Sequence, residues 1–245
     1  MLMKQYLFLT LSLFLISSSV QAELPGSFSA SYALHYDDLR IGVMERRFTH
    51  NEENGSGTFE SNGKLTGLAA LFRKDKITES SHWEINNDGQ LRPVEYRYER
   101  TGGEKEKSVY HHFDWRNNKV ISKTQDEKKE LTVAPGLLDK LLYQLAMMET
   151  ENPEVGLEYD LIDGTTLKKY QFDFKGEEEL STPMGKIKTL KFQRSRPNEN
   201  PDNTKNKRST ILWCAPSLHY LPIRVDTIDK KGHLTSIRIK EVAGL

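Results

Sequence analysis

The sequence predicts a mainly β protein: one strongly curved antiparallel sheet of about 10–11 strands, a half-open or closed β-barrel, with a single amphipathic helix packed on it. Three observations lead there. Apolar residues recur at every second position through most of the chain, as in strands whose side chains point alternately to two faces. Glycine beside asparagine, aspartate or lysine punctuates these runs at spacings that suit successive antiparallel strands. One segment alone repeats its apolar residues at intervals of three and four.

The elements follow in order. Phe28, Ala30, Tyr32, Leu34 and Tyr36 share one face of a first strand, and Leu39, Ile41 and Val43 share a face of the next. Asn54-Gly55 and Asn62-Gly63 read as turns, and Leu68-Ala69-Ala70-Leu71-Phe72 reads as a turn of helix or a loop that plugs the apolar side of the sheet. Asn87-Asp88-Gly89 leads into the clearest hairpin, residues 91–115. There Val94, Tyr96 and Tyr98 alternate with Glu95, Arg97 and Glu99, while Val109, His111, Phe113 and Trp115 alternate with Ser108, Tyr110, His112 and Asp114. Thr101-Gly102-Gly103-Glu104 lies between, where glycine supplies the positive φ of a tight turn.

From Pro135-Gly136 to Glu149 the periodicity changes. Leu137, Leu138, Leu141, Leu142, Leu145 and Met148 fall on one helical face. Burying four of those leucines contributes roughly 6–12 kcal/mol gross, at ~1.5–3 kcal/mol each, so the helix must lie against the sheet. Tyr170, Phe172 and Phe174, then Leu221, Ile223 and Val225, then Ile237 and Ile239 complete the strands, with turns at Asp163-Gly164 and Lys231-Gly232. The stretch from Arg196 to Arg208 holds no hydrophobic residue and reads as a loop between strands. No repeat and no shift in composition divides the chain, so residues 23–245 read as one β-rich domain.

The chain opens with Lys4, an apolar run from Tyr6 to Ile16, and small residues at Val20 and Ala22, the pattern of a cleaved secretory signal over residues 1–22. A mature chain starting near Glu23, in the periplasm of a Gram-negative-type envelope, is the expectation. The run is shorter than the ~20 residues that span a bilayer and no later stretch approaches it, so no transmembrane anchor is expected in the mature chain. Cys214 is the single cysteine; it supplies neither a lipid anchor behind the signal nor an intramolecular disulfide. The fold must therefore rest on its core. Removing Lys4 from 35 basic residues leaves 34 against 35 acidic ones, a balance that argues against nucleic acid as a partner.

Several phrases carry a family resemblance: KDKITESSHWEI at 74–85, LRPVEYRYERTGG at 91–103, FDW at 113–115, and Leu212-Trp213 followed by Leu221 to Asp226. In their order and over most of the mature chain they resemble a family of exported bacterial proteins known only as a domain of unknown function. The resemblance implies the half-open β-barrel of periplasmic lipoprotein carriers, a curved antiparallel sheet with helix tucked into its concave side. It implies no catalytic residues.

Signatures of catalysis are sparse. The chain has no Gly-x-Ser-x-Gly, no His-Glu-x-x-His and no glycine-rich phosphate loop. Ser61-Asn62-Gly63-Lys64 matches the serine-x-x-lysine pattern of acylating enzymes, but that chemistry needs a helix where asparagine and glycine predict a turn. His112 and Asp114 lie two apart on one strand and hence on one face, which makes them the candidate acid–base pair. The alternative reading is the wet side of a sheet. His111 points the other way, so the adjacent histidines cannot converge, and no metal site and no cofactor is expected. Cys214 beside Trp213 reads as a buried, inert thiol. Asp75, Lys76, Glu79 and Glu84 together with Arg92, Arg97 and Arg100 read as a set of cross-strand ion pairs on the convex face.

The leading expectation is a periplasmic, non-enzymatic binding or carrier protein for a lipid-like or other apolar ligand. That ligand would sit between sheet and helix, with Leu137, Leu141, Leu145 and Met148 facing Phe72, Tyr96 and Tyr98. A second reading is an envelope assembly or scaffold protein that binds another protein by a sheet edge or by the 196–208 loop. A third is an envelope hydrolase.

Overall fold

The computed structural model describes residues 24–150, 152–195 and 208–245; the signal peptide read in residues 1–22 lies outside them, as does the loop read from Arg196 to Arg208 except for its last residue. The described residues form one antiparallel sheet of 14 strands. Its first half runs β1 (Phe28–Tyr36), β2 (Leu39–Asn51), β3 (Ser56–Leu65), a five-residue helix α1 (Leu68–Phe72), β4 (Lys76–Ile85), β5 (Leu91–Thr101), β6 (Lys107–Asp114), β7 (Lys119–Thr124) and β8 (Lys128–Thr132). After α2 (Tyr143–Met148) come β9 (Leu157–Asp163), β10 (Thr166–Thr182), β11 (Gly185–Ser195), β12 (Ser209–Ala215), β13 (Leu221–Ile228) and β14 (Leu234–Ala243). Strands consecutive in sequence are hydrogen-bonded to each other, except β8 and β9, and β1 pairs with β14, so the two halves join through β1 and β14 and leave β8 and β9 as the edges.

The sheet is thus mainly β and curled as predicted, but it has more strands than periodicity revealed. The charged β8 is one reason: Lys128, Lys129 and Glu130 are all exposed, and no apolar alternation marks it. Lysines on an edge strand discourage pairing with a second sheet. Asn62-Gly63 is another departure, because both residues lie inside β3 and are paired on both sides, with Glu45 and Thr78 and with Met44 and Ile77.

The long helix expected from Pro135-Gly136 to Glu149 is confined to α2. Its first half is spent on closing the gap between the edges. Leu138 donates its N–H to Asp160 O (2.9 Å) and accepts from Ile162 N–H (3.0 Å), a parallel bridge to β9 that a helix could not make. Val133 N–H bonds Asn118 O on the opposite side (3.0 Å), and Ser122 Oγ donates to Gly164 O (2.7 Å). Phe113, Val120, Val133, Leu137 and Ile162 pack across this gap. The backbone ladder stays open; side chains and one linking segment bridge it.

Asp139 makes the turn into α2. Its Oδ1 accepts the N–H groups of Leu141 (2.8 Å) and Leu142 (2.7 Å), which fixes the turn ahead of the helix. The apolar face that follows is buried as its periodicity demanded: Leu141, Leu142 and Leu145 are each 0% exposed. Tyr143 stacks on Phe172 of β10 (centroids 5.7 Å), and at the other end of the interior Phe48 stacks on Trp83 (5.3 Å).

Candidate functional site

The concave side of the sheet is not filled throughout. A cavity of about 760 Å³ opens between β1–β5, β14 and α1. Leu34, Ile41, Met44, Leu65 and Ile237 supply apolar wall, and Tyr98 and Phe72 stand along it. Gly63 also lines it, and a Cβ built there meets nothing nearer than Leu34 Cδ1 (3.9 Å) and Met44 Cγ (4.0 Å). The space beside that glycine is therefore real room.

The mouth is apolar too. Leu68 (77% exposed), Leu71 (76%) and Phe72 (87%) project from α1 with no core packing beneath them. Of the two readings of this segment, a turn of helix or a plugging loop, the structure has the turn of helix, and it forms an exposed lip. Beside it Asp75 accepts from both Arg73 (2.8 Å) and Arg100 (2.5 Å), and these bonds hold its carboxyl below the usual range. Asp75 and Arg100 line the cavity, so this ion-pair group stands at its rim and not on the convex face.

The floor carries polar groups that period-two reading of apolar residues passed over. On β2 the buried residues are Gly42, Met44, Arg46 and Phe48, while Leu39, read as part of the apolar face, is 69% exposed. Arg46 is only 6% exposed; its Nη1 donates to Gln144 Oε1 of α2 (2.5 Å), and its guanidinium lies over the Tyr32 ring (5.2 Å to the centroid). Across the ladder Arg46 faces Ala30 and Ser61, and Ser61 in turn faces Glu79. Glu79 points inward, and its Oε1 accepts the Tyr96 hydroxyl (2.5 Å). The signal for Arg46 was present in Met44-Glu45-Arg46-Arg47-Phe48, where it has the parity of two core residues.

The residues expected to hold a ligand divide into two groups. Phe72 and Tyr98 line the cavity. Tyr96 is buried at 2%, and Leu137, Leu141, Leu145 and Met148 lie in packed core, none more than 4% exposed and none on the cavity wall. His112 is exposed on the convex face, and Asp114 caps the β6–β7 turn, accepting from Asn117 N–H (3.2 Å) and Nδ2 (2.7 Å). No third polar group converges with that pair in the hydrogen bonds of the described residues. The serine and lysine of the Ser-x-x-Lys match have opposite parity on β3.

The family profile for a protein of unknown function, DUF3108, matches residues 31–237. The chain belongs to the DUF3108 family. No curated protein sequence matches it. Among solved structures it is similar to the β-barrel-like protein of the domain of unknown function DUF1849 from Brucella abortus, at 9% identity and a TM-score of 0.53, covering 89% of this chain and 97% of that one. At this identity the likeness is one of fold. Two further structures align more loosely. One is described as an exported protein with a YmcC-like fold, from Bacteroides fragilis (10% identity, TM-score 0.34, 90% and 98% covered), and the other as a lipoprotein, from Parabacteroides distasonis (10%, 0.33, 90% and 96%).

Elsewhere in this DUF3108 chain the interior holds ionisable groups that shape stability more than chemistry. Asp139, 0% exposed, is pushed up to about 7 by desolvation, against the bonds it accepts from Ser81 Oγ (2.5 Å) and two backbone N–H groups. His111 is 0% exposed, stacks on Tyr96 (5.1 Å), finds no hydrogen-bond partner for either ring nitrogen, and is pushed down to about 4 by burial. Among the described residues no three His, Cys, Asp or Glu side chains are grouped to hold a metal ion, and no helix is long and apolar enough to cross a membrane.

Proposed function

We propose that the protein is an exported, non-enzymatic binding or carrier protein of the periplasm whose ligand is lipid-like or otherwise apolar. The observation that carries this reading is the cavity: about 760 Å³ of space with aliphatic and aromatic walls, opening beside the exposed Leu68, Leu71 and Phe72. Its volume falls in the ~300–1,000 Å³ range of small-molecule sites, which are mostly apolar with a few placed polar groups. The binding place is the space under α1, one element away from the helix–sheet boundary that periodicity favoured. Export rests on the signal pattern in residues 1–22. The scaffold reading draws less support, since the β9 edge is already engaged by Leu138. The hydrolase reading has only His112 and Asp114, and Asp114 is occupied in a turn.

Titration with N-phenyl-1-naphthylamine, an uncharged apolar fluorophore, tests the reading. The wild type should bind it saturably, and Gly63→Leu, which projects into the cavity from a position with no positive φ, should weaken binding while the thermal melt stays cooperative. A wild type that takes up no probe would remove the basis for the carrier reading.

A further inference from the structure

Arg46 is the buried cation among the described residues of the cavity wall, and the fold leaves its chemistry unfinished. It is 94% buried, and a guanidinium stays charged at any physiological pH. Burying a cation is costly unless an anion or a full set of acceptors replaces water. Among the described residues no carboxylate lies within ion-pair distance of it. Its Nε has no hydrogen-bond partner, its Nη1 bond goes to the neutral Gln144, and Tyr32, whose hydroxyl donates to Pro222 O (3.2 Å), gives it only neutral partners, a ring face and a hydroxyl oxygen. The acids that line the same cavity are not its ion-pair partners: Asp75 pairs with Arg73 and Arg100, and Glu79 accepts the Tyr96 hydroxyl.

Space is kept open around the same group. Its cross-strand neighbours, Ala30 and Ser61, are small, and Arg46 also borders two further cavities, one of about 490 Å³ on the side of Tyr143 and Arg194 and one of about 670 Å³ beside Glu45 and Glu60. A buried cation with no ion-pair partner, in the wall of a cavity whose other walls are largely aliphatic and aromatic, defines a ligand with two parts.

We infer that the ligand is an amphiphile with an anionic head, a carboxylate or phosphate, which docks on Arg46 while its hydrocarbon tail lies along Met44, Leu65 and Phe72. The inference deepens the carrier reading and rests on it. Arg46 is then the specificity-determining residue: the tail provides affinity, and the head provides discrimination through charge-assisted hydrogen bonds.

The test compares amphiphiles of one chain length, hexadecanoic acid, hexadecyl phosphate, hexadecanol and hexadecylamine, by displacement of the uncharged probe from wild type, R46Q and R46K, with melts of each variant. The wild type should favour the acid and the phosphate over the alcohol by about tenfold or more, as one charge-assisted bond supplies. R46Q should lose that preference with its affinity for the alcohol retained, and R46K should keep it. Inorganic phosphate alone at millimolar concentration should not displace the probe; displacement would mean a free-anion site and would overturn the two-part ligand. Equal wild-type affinity for acid and alcohol, which needs no folded variant to observe, would overturn the anionic head and leave the carrier reading standing. Failure of all four amphiphiles would count against the carrier reading itself.

Discussion

Cys214 shows how far a single residue's environment sets its chemistry. The thiol is 0% exposed and burial pushes its ionisation far up, so the thiolate that reacts with electrophiles is scarce in the native state. Iodoacetamide should label the native protein only through opening, at a rate that tracks the unfolding equilibrium across urea concentrations. Labelling at the rate of a free peptide thiol in native buffer would contradict this placement. Asp139 gives a second prediction at the same scale. Folded, it holds its proton up to about pH 7; unfolded, it releases it near its ordinary 3.8. The folded state binds more protons between those values, so the stability this group confers is complete at low pH and is lost as pH rises through 7. D139N cannot titrate, yet its Oδ1 can still accept from Leu141 and Leu142 and its amide can donate to Ser81. Urea midpoints should show the variant gaining on wild type steadily from about pH 4 to 7, then levelling. Comparing the two proteins cancels His111, whose slope is opposite: its charged form is disfavoured by burial, so its contribution falls as pH drops from 6.5 toward about 4. A difference that stays flat with pH would mean Asp139 is ionised in the fold.

Among the elements, α2 and the segment before it are densely buried, with Leu137, Leu138, Leu141, Leu142, Leu145, Met147 and Met148 all in the core. Leu141 is 0% exposed and lies in the main core, away from the cavity under α1. Leu141→Ala should cost about 2–5 kcal/mol through lost contacts and a void. Leu141→Trp should cost roughly 1–3 kcal/mol by overpacking. Both should leave probe binding intact in the folded fraction, in contrast to Gly63→Leu. Loss of binding in Leu141→Trp without loss of stability would place the ligand at the helix–sheet boundary after all. Periodicity identified the buried residues of this segment but not its backbone conformation, and the reason is physical. Leu137 and Leu138 are buried by either a helix or a bridge to β9, and alternation of polarity reports burial alone. Only the positions of Asp160 and Ile162, more than 20 residues away, decide that Leu138 bonds to a strand.

For the molecule as a whole, export is the prediction at stake. Mass spectrometry of the protein from periplasmic extracts should find a chain starting at or within a residue or two of Glu23, without acyl mass, since Cys214 is the only cysteine. An intact Met1 in the membrane fraction would reverse the localisation. The scale of the sheet matters as well: a 14-stranded meander cannot stay flat, and its curl brings β8 and β9 close enough for one segment to bridge them. That curl also creates the concave space in which Arg46 is buried.

By itself the sequence determined the fold class, the hairpin of residues 91–115, the burial of the leucines from 137 to 145 and the signal pattern at the start. Each follows from local alternation, turn chemistry or composition, which neighbouring residues settle among themselves. The tertiary structure alone decided that Asn62-Gly63 is strand, that 135–142 is a bridge, and that the open space lies under α1. These depend on which strands are brought alongside by long-range pairing, and no local pattern records that. Arg46 stands between the two cases. Its parity put it on the inner face, but only the placement of Gln144, Tyr32, Ala30 and Ser61 around it shows a buried cation with no counter-ion among its neighbours.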